Sequence, residues 1–337
     1  MHKGQVTIKD IAKALGISPS TVSRALKDHP DISHDTKKAV NELAEKWHYK
    51  PDPIALSLKS RKSKIIGVII PEVVHYFFST VISGIGDVAY NSNYQVMICE
   101  SNETYEREVK NVHALLSSRV EGILVSVSKE TRNFDHFREI QQHDVPIVFF
   151  DRICEEINSD RVIVDDEQGA FLATEHLIQV GCRRIIHLAA SDHLLIGKDR
   201  KAGYLRAMKT YNLNPDPDWI IKCDTMEEAR EVVPGLLGGL SKPDAFFAVN
   251  DLTAAETMKI IKESGFRIPR DIAIVGFTNG QISNLTDPPL SAVEQHGYEI
   301  GKEAVHLLID RLEKTEYYPP ITRVINTRLI KKNSSLR

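Results

Sequence analysis

The chain has 337 residues, of which 42% are hydrophobic and 26% charged, with a formal net charge of −3. That composition describes an ordinary globular protein, excludes disordered, collagenous and disulfide-rich classes, and at this length predicts roughly two or three domains. The charge is uneven: residues 1–64 carry 13 Lys+Arg against 7 Asp+Glu and the rest 30 against 39, a basic head on an acidic body. Met1–Gly16 has no apolar signal core, and runs such as Ile65–Ile70 are far too short to span a bilayer, so a cytoplasmic protein without a membrane partner is expected. Cys99, Cys154, Cys182 and Cys223 form no C-x-x-C pair and read as reduced thiols.

In chain order, Val6–Leu26 comes first. Thr7 caps a helix, with Asp10 three residues on, and Ile8, Ile11, Ala12 and Leu15 make its apolar stripe. Gly16 ends that helix, Ser18 caps a second, and Pro19 takes its first position, where a missing N–H costs nothing. Val22, Ala25 and Leu26 point inward; Pro19, Ser20, Ser23, Arg24 and Lys27 are left outside. This is a helix-turn-helix pattern whose second helix offers hydroxyls and one arginine to a major groove. An ordinary αα-hairpin shares the caps and the turn; the exposed face, with hydroxyls, Arg24 and no carboxylate, favours DNA. Ser33 caps a third helix with Val40, Leu43, Ala44 and Trp47 inside.

The Thr-Ile-Lys-Asp-Ile-Ala run at 7–12 and the Ser-x-x-Thr-Val-Ser-Arg run at 18–24 closely resemble the DNA-binding head of the lactose-repressor (LacI/GalR) family of bacterial transcription regulators. The resemblance continues almost to the C-terminus. It implies DNA contacts from Thr7, Ser18, Pro19, Ser20, Thr21, Ser23 and Arg24. Pro53–Lys59 reads as a short helix before the basic run Lys59, Arg61, Lys62, Lys64. In the family this is a hinge helix that wedges a leucine into the minor groove, a role that falls to Leu58; Leu56 stands where the family usually has arginine.

From Ile65 strands alternate with helices. Ile65–Ile70, Gln95–Cys99, Gly122–Val125, Ile147–Phe150, Arg184–Leu188, Ala245–Val249 and Ala273–Gly276 read as strands; Phe78–Tyr90, Glu106–Leu116, Gln168–Val180, Arg200–Tyr211 and Thr253–Glu263 read as helices. The expected fold is α/β: an all-α head and two doubly wound lobes, which by resemblance are like periplasmic sugar-binding proteins. The boundaries are drawn at 1–50 for the head, 51–64 for the hinge, 65–161 with 291–322 for the first lobe, and 162–290 with 323–337 for the second.

Several motifs are rejected. Gly84-Ile-Gly-Asp-Val-Ala89 matches a dinucleotide fingerprint but lies inside a helix. Gly235–Gly239 has no lysine; His187 and His193 lack further ligands; Asp165-Asp166-Glu167 reads as strand-end and helix-cap carboxylates rather than a metal or acid–base cluster. No catalytic group, metal or cofactor is expected. Ligands of open α/β sheets bind at strand C-termini, which points to His75–Phe78, Asp151 and Arg152, Leu194–Arg200, Asn250 and Asp251, and Thr278 and Asn279. The resemblance adds weight to His75, Phe77, Phe78, Asp151, Arg200, Asn250, Thr278 and Asn279 as effector residues. Thr278 replaces a family aspartate that grips a sugar diol, and Gln295-His296 replaces Gln-Pro.

The reading is a dimeric regulator, a repressor by resemblance, on a pseudo-palindromic double-stranded operator. Its effector is expected to be a carbohydrate or an acidic or phosphorylated derivative. A solute-binding protein of a transport system, or an enzyme on the same scaffold, is the alternative.

Overall fold

A computed structural model describes residues 6–49, 63–239, 242–314 and 318–337, which form two compact units meeting in sequence at Lys64 and Ile65. The expected hinge helix and Leu58 lie outside the described residues.

The head contains α1 (Ile8–Leu15), α2 (Pro19–Leu26) and α3 (His34–Lys46). Each is started by a local cap. The Thr7 side chain accepts from the Asp10 amide while Asp10 accepts from the Thr7 amide, and the Ser18 and Ser33 hydroxyls accept from the amides of Thr21 and Thr36. Gly16 ends α1 at φ 65°, the left-handed conformation that a residue without Cβ adopts at no steric cost. Ile11, Ala12, Val22, Ala25, Val40 and Ala44 are the buried core, with Ile8, Leu15, Leu26, Leu43 and Trp47 packed around it.

The body opens with β1 (Ile65–Ile70), α4 (Tyr76–Asn91), β2 (Gln95–Glu100), α5 (Tyr105–Ser117), β3 (Gly122–Val125), α6 (Asp135–Gln142), β4 (Ile147–Phe150) and β5 (Asp160–Val164). It continues with α7 (Asp166–Gln179), β6 (Ile185–Ala189), α8 (Leu195–Thr210), β7 (Ile220–Lys222), α9 (Met226–Gly238), β8 (Ala245–Ala248), α10 (Asp251–Glu263), β9 (Ala273–Phe277) and α11 (Ile282–Leu285). β10 (Ser291–Glu294), α12 (Gly297–Glu313), β11 (Thr322–Ile325) and β12 (Arg328–Ile330) follow.

Two six-stranded sheets result, in the orders β11-β5-β4-β3-β1-β2 and β12-β10-β9-β8-β6-β7. All pairs are parallel except β10 with β12. Parallel strands covered on both faces need apolar side chains on both, which is why β1 reads Ile-Ile-Gly-Val-Ile-Ile without alternation. Ile66, Val68 and Ile70 share a core with α4 and α12; Ile69 joins α5 and α6 on the other face. Helices α7 and α8 cover one face of the second sheet, α9 and α10 the other. The first glycine of the rejected fingerprint, Gly84, has a packing role that it shares with Gly301. A Cβ on Gly84 would lie 2.1 Å from the Tyr298 carbonyl oxygen, and one on Gly301 2.1 Å from that of Val81, so α4 and α12 cross backbone to backbone.

The chain passes between lobes at Asp165, at Gln295–His296 and at Asn326–Thr327. The Thr327 amide donates to Asp165 Oδ1 at 2.6 Å, tying two of these crossings together. Strand pairing moves the boundaries expected from sequence. β5 stays in the first sheet through Val164, Ser291–Glu294 pairs with β9 in the second, and β11 returns to pair with β5 through Ile325. In sequence the charged start of β5 marks the end of the first lobe. Asp160 is nevertheless buried, because Arg311 of α12 donates to both its oxygens at 2.6 and 2.8 Å and the Ile321 amide at 2.7 Å.

Candidate functional site

Two surfaces carry the residues singled out by sequence. On the head, Pro19, Ser20 and Arg24 of α2 are exposed, and Thr21 and Ser23 are half-buried. Thr7 and Ser18 are exposed, but their hydroxyls already hold the starts of α1 and α2. The face of α2 carries no carboxylate of its own, as expected, but a neighbouring segment brings one to its arginine. Arg24 Nη2 is ion-paired with Asp31 from the segment after α2 and lies 3.2 Å from His29 Nδ1.

In the body, seven of the eight expected effector residues line one cavity between the lobes: His75, Phe77, Phe78, Asp151, Arg200, Asn250 and Thr278. Asn279 is not part of it: its amide donates to Glu294 at 3.0 Å and its carbonyl accepts from Lys332 at 2.7 Å. The first lobe contributes the aromatic wall. Tyr76, Phe77 and Phe78 start α4 directly after β1, and the two phenyl rings meet edge to face at 5.2 Å. Lys129, beyond the end of β3, and Arg152, beside Asp151, complete this side. The second lobe contributes Ile196, Arg200, Asp224, Asn250, Asp251 and Thr278, and the crossing adds Gln295.

Most of the cations here are already paired. Arg200 is 4% exposed; its Nε donates to Asp166 Oδ1 at 2.7 Å, its Nη1 to the Val249 carbonyl at 2.7 Å, and its guanidinium stacks 3.7 Å from the Phe277 ring centroid. The guanidinium expected among the effector residues is thus largely held by the protein. Its partner is Asp166, a residue read from sequence as a helix-cap carboxylate. Arg152 Nη1 donates to both oxygens of Glu103 at 2.7 and 2.8 Å. Lys129 Nζ lies 3.5 Å from Asp224, across the cleft. Nearby, His193 of the second lobe donates from Nε2 to the Lys129 carbonyl at 2.7 Å, while its Nδ1 meets the Ser191 hydroxyl at 2.6 Å.

Two carboxylates stand out. Burial pushes Asp151 up to about 6, with Arg152 the largest opposing influence. Burial also pushes Asp251 up to about 6, opposed by amides at the start of α10. Asn250 is committed as the cap of α10: its carbonyl accepts from the Thr253 amide at 2.7 Å and its amide donates to the Asp224 carbonyl at 2.8 Å. Thr278, at φ 76°, donates to Gln295 at 2.5 Å. Lys129 and Asp224 were missed in the sequence. The strand-end rule would have found Lys129; Asp224 follows a three-residue edge strand too short to read. Among the described residues no group of three His, Cys, Asp or Glu could hold a metal ion, and no helix is long and apolar enough to cross a membrane.

Residues 7–52 match the family model "Bacterial regulatory proteins, lacI family", and residues 174–335 match "Periplasmic binding protein-like domain". The HTH-type transcriptional repressor PurR of Vibrio campbellii is 30% identical over 315 residues, covering 92% of this chain and 93% of that protein. A lac repressor dimer bound to operator and the anti-inducer ONPF superposes with TM-score 0.85 at 24% identity, covering 99% of this chain and 100% of that one. A periplasmic binding protein/LacI transcriptional regulator from Alkaliphilus metalliredigens, complexed with D-xylulofuranose, gives TM-score 0.71 at 26% identity over 81% of this chain and 100% of that one.

Proposed function

The chain belongs to the lacI family of bacterial regulatory proteins, and from there we propose that it is a homodimer on a pseudo-palindromic operator whose effector is a neutral carbohydrate held between the lobes. It is a sequence-specific DNA-binding transcription regulator controlled by a small molecule, and the head sets aside the transport-protein alternative. Two heads related by two-fold symmetry read two related half-sites. On each, Pro19, Ser20, Thr21, Ser23 and Arg24 face the major groove, Thr7 and Ser18 set the helix starts, and Leu58 acts as the minor-groove wedge. Effector in the cleft changes how the lobes sit and through them the heads, a coupling worth about 1–3 kcal/mol.

The observation that carries the effector class is the charge pairing inside the cavity. Lys129, Arg152 and Arg200 line it, but Glu103, Asp166 and Asp224 already neutralise them, and Asp151 and Asp251 add two more carboxylates. An anionic ligand would meet net negative charge; a polyhydroxyl ligand would find acceptors for its O–H groups and aromatic faces for its C–H side. The acidic or phosphorylated derivatives admitted by sequence are therefore disfavoured. The relative bound to D-xylulofuranose supports a sugar. The test is a selection of operator DNA from random duplexes, followed by gel shifts on the selected site with neutral pentoses and hexoses and with their phosphates. Neutral sugars should alter DNA affinity at lower concentration than the phosphates. A response to phosphates alone would refute the neutral reading.

A further inference from the structure

We infer that Asp251 supplies the second-lobe carboxylate that accepts hydrogen bonds from a vicinal diol of the effector, a role that Thr278 cannot fill. The inference rests on the carbohydrate reading and sharpens it to one specificity-determining residue.

The argument starts from pairing. Of the carboxylates lining the cavity, Asp151 has Arg152 at 4.0 Å, and Asp224 has Lys222 at 3.2 Å and Lys129 at 3.5 Å. Asp251 makes no ion pair among the described residues, although it is only 8% exposed. A buried carboxylate without a cation is costly unless something else satisfies its oxygens. The first amides of α10 do part of this, and they leave lone pairs that a carboxylate can offer to two adjacent hydroxyls.

Room for that carboxylate is built in from the neighbouring strand end. A Cβ on Gly280 would lie 2.3 Å from Asp251 Oδ2 and 3.3 Å from Tyr76 Cδ1. Gly280 therefore sits between the second-lobe carboxylate and a first-lobe aromatic ring, at the place where the lobes meet over the cavity. Thr278, two residues earlier, is turned away from ligand duty. Its hydroxyl donates to Gln295 at the lobe crossing and it has no anionic oxygen to offer. Asp251 thus brings, from the adjacent strand end β8, the carboxylate that β9 lacks.

The experiment is calorimetry on the full-length protein at pH 7.5 with D-ribose, D-xylose, D-glucose and D-galactose. Wild type is compared with Asp251→Asn, Gly280→Ala and Thr278→Ala, each checked for a cooperative thermal melt. For whichever sugar wild type binds, Asp251→Asn should weaken binding at least tenfold. Gly280→Ala, which displaces the carboxylate without removing it, should also weaken it, and Thr278→Ala should weaken it less than Asp251→Asn does. Asp251→Asn or Gly280→Ala binding as well as wild type would overturn the role of Asp251 and leave the carbohydrate reading standing. So would Thr278→Ala losing as much as Asp251→Asn. If Asp251→Asn does not fold, Gly280→Ala decides alone. Wild type binding none of the four would remove the carbohydrate reading and this inference with it.

Discussion

The head and the body satisfy their polar groups by opposite means. In the head every helix start is held by a residue three positions away, Thr7 with Asp10, Ser18 with Thr21 and Ser33 with Thr36, and all these contacts are exposed. In the body the decisive contacts are buried or partly buried and join distant parts of the chain: Asp160 with Arg311, Asp165 with Thr327, Asp166 with Arg200 and His176 with Ser335. Exposed local caps are worth about 1 kcal/mol each. A buried charge that loses its partner costs several times that. The head can therefore be altered piecemeal on its DNA face, whereas the effector cleft shares its charges with the framework that holds it.

The largest effect should come from that shared framework. Asp166→Ala leaves the Arg200 guanidinium buried without its carboxylate, and the body should lose about 3–5 kcal/mol in a urea titration. A loss below about 1 kcal/mol would mean that the Val249 carbonyl and the Phe277 ring hold Arg200 by themselves, and the contrast between head and body would weaken.

Asp251 sharpens the same contrast from the other side, as a buried carboxylate with no ion-pair partner among the described residues. Its folded value of about 6 lies above the ordinary 3.8. Between those values the native state holds a proton that the unfolded chain has released, so this group's contribution to stability falls as pH rises through that window. At pH 7.5 and without ligand, Asp251→Asn should therefore be more stable than wild type, by on the order of 1–3 kcal/mol. The difference should shrink as pH falls from about 6 towards 4. Effector affinity of wild type should move oppositely, decreasing as pH drops through about 6, because protonation removes the acceptor. Melting curves of both proteins at several pH values test the first part and titrations of wild type the second; a pH-independent stability difference would show that the carboxylate does not titrate in this range.

What could be read from sequence follows the same division. The three head helices, their caps and Gly16 were legible because each signal lies within a few residues of its effect. The central strands β1, β3 and β4 were legible because burial on both faces leaves unbroken apolar runs. Of the edge strands, β2 was legible, but β7, β11 and β12 were not, since a strand paired on one side needs neither length nor continuous hydrophobicity. β5 was missed because Asp160 and Arg161 read as solvent-facing until α12 brings Arg311. In the site, residue types at strand ends were legible, but their partners were not. Arg200 was expected to face a ligand, and Asp166 holds it instead. Asn279 was expected in the cleft, and Lys332, 53 residues further on, holds it outside.

On the head, Arg24→Ala should weaken binding to the selected operator by about 1–3 kcal/mol, the usual worth of a bidentate guanine contact, with a smaller loss on scrambled DNA. Gel-shift titrations on both DNAs measure it. Equal losses would assign Arg24 to a phosphate and move sequence reading to the hydroxyls of α2.

The smallest effect is expected at Asp31. Its ion pair with Arg24 is solvent-exposed on both sides, so Asp31→Asn should change head stability by less than about 1 kcal/mol. Its influence on DNA binding is separate. To reach a guanine, the Arg24 guanidinium must leave Asp31, and a carboxylate beside the recognition helix also repels phosphate. Removing that charge should raise affinity a few-fold on operator and scrambled DNA alike, with the gain fading as salt is added, because the added attraction is long-range and screened. The contrary outcome is equally informative. If Asp31→Asn loses operator binding as Arg24→Ala does while keeping its affinity for scrambled DNA, Asp31 orients the guanidinium for base contact. The head would then depend on a partnered charge as the cleft does, although this one lies on the surface.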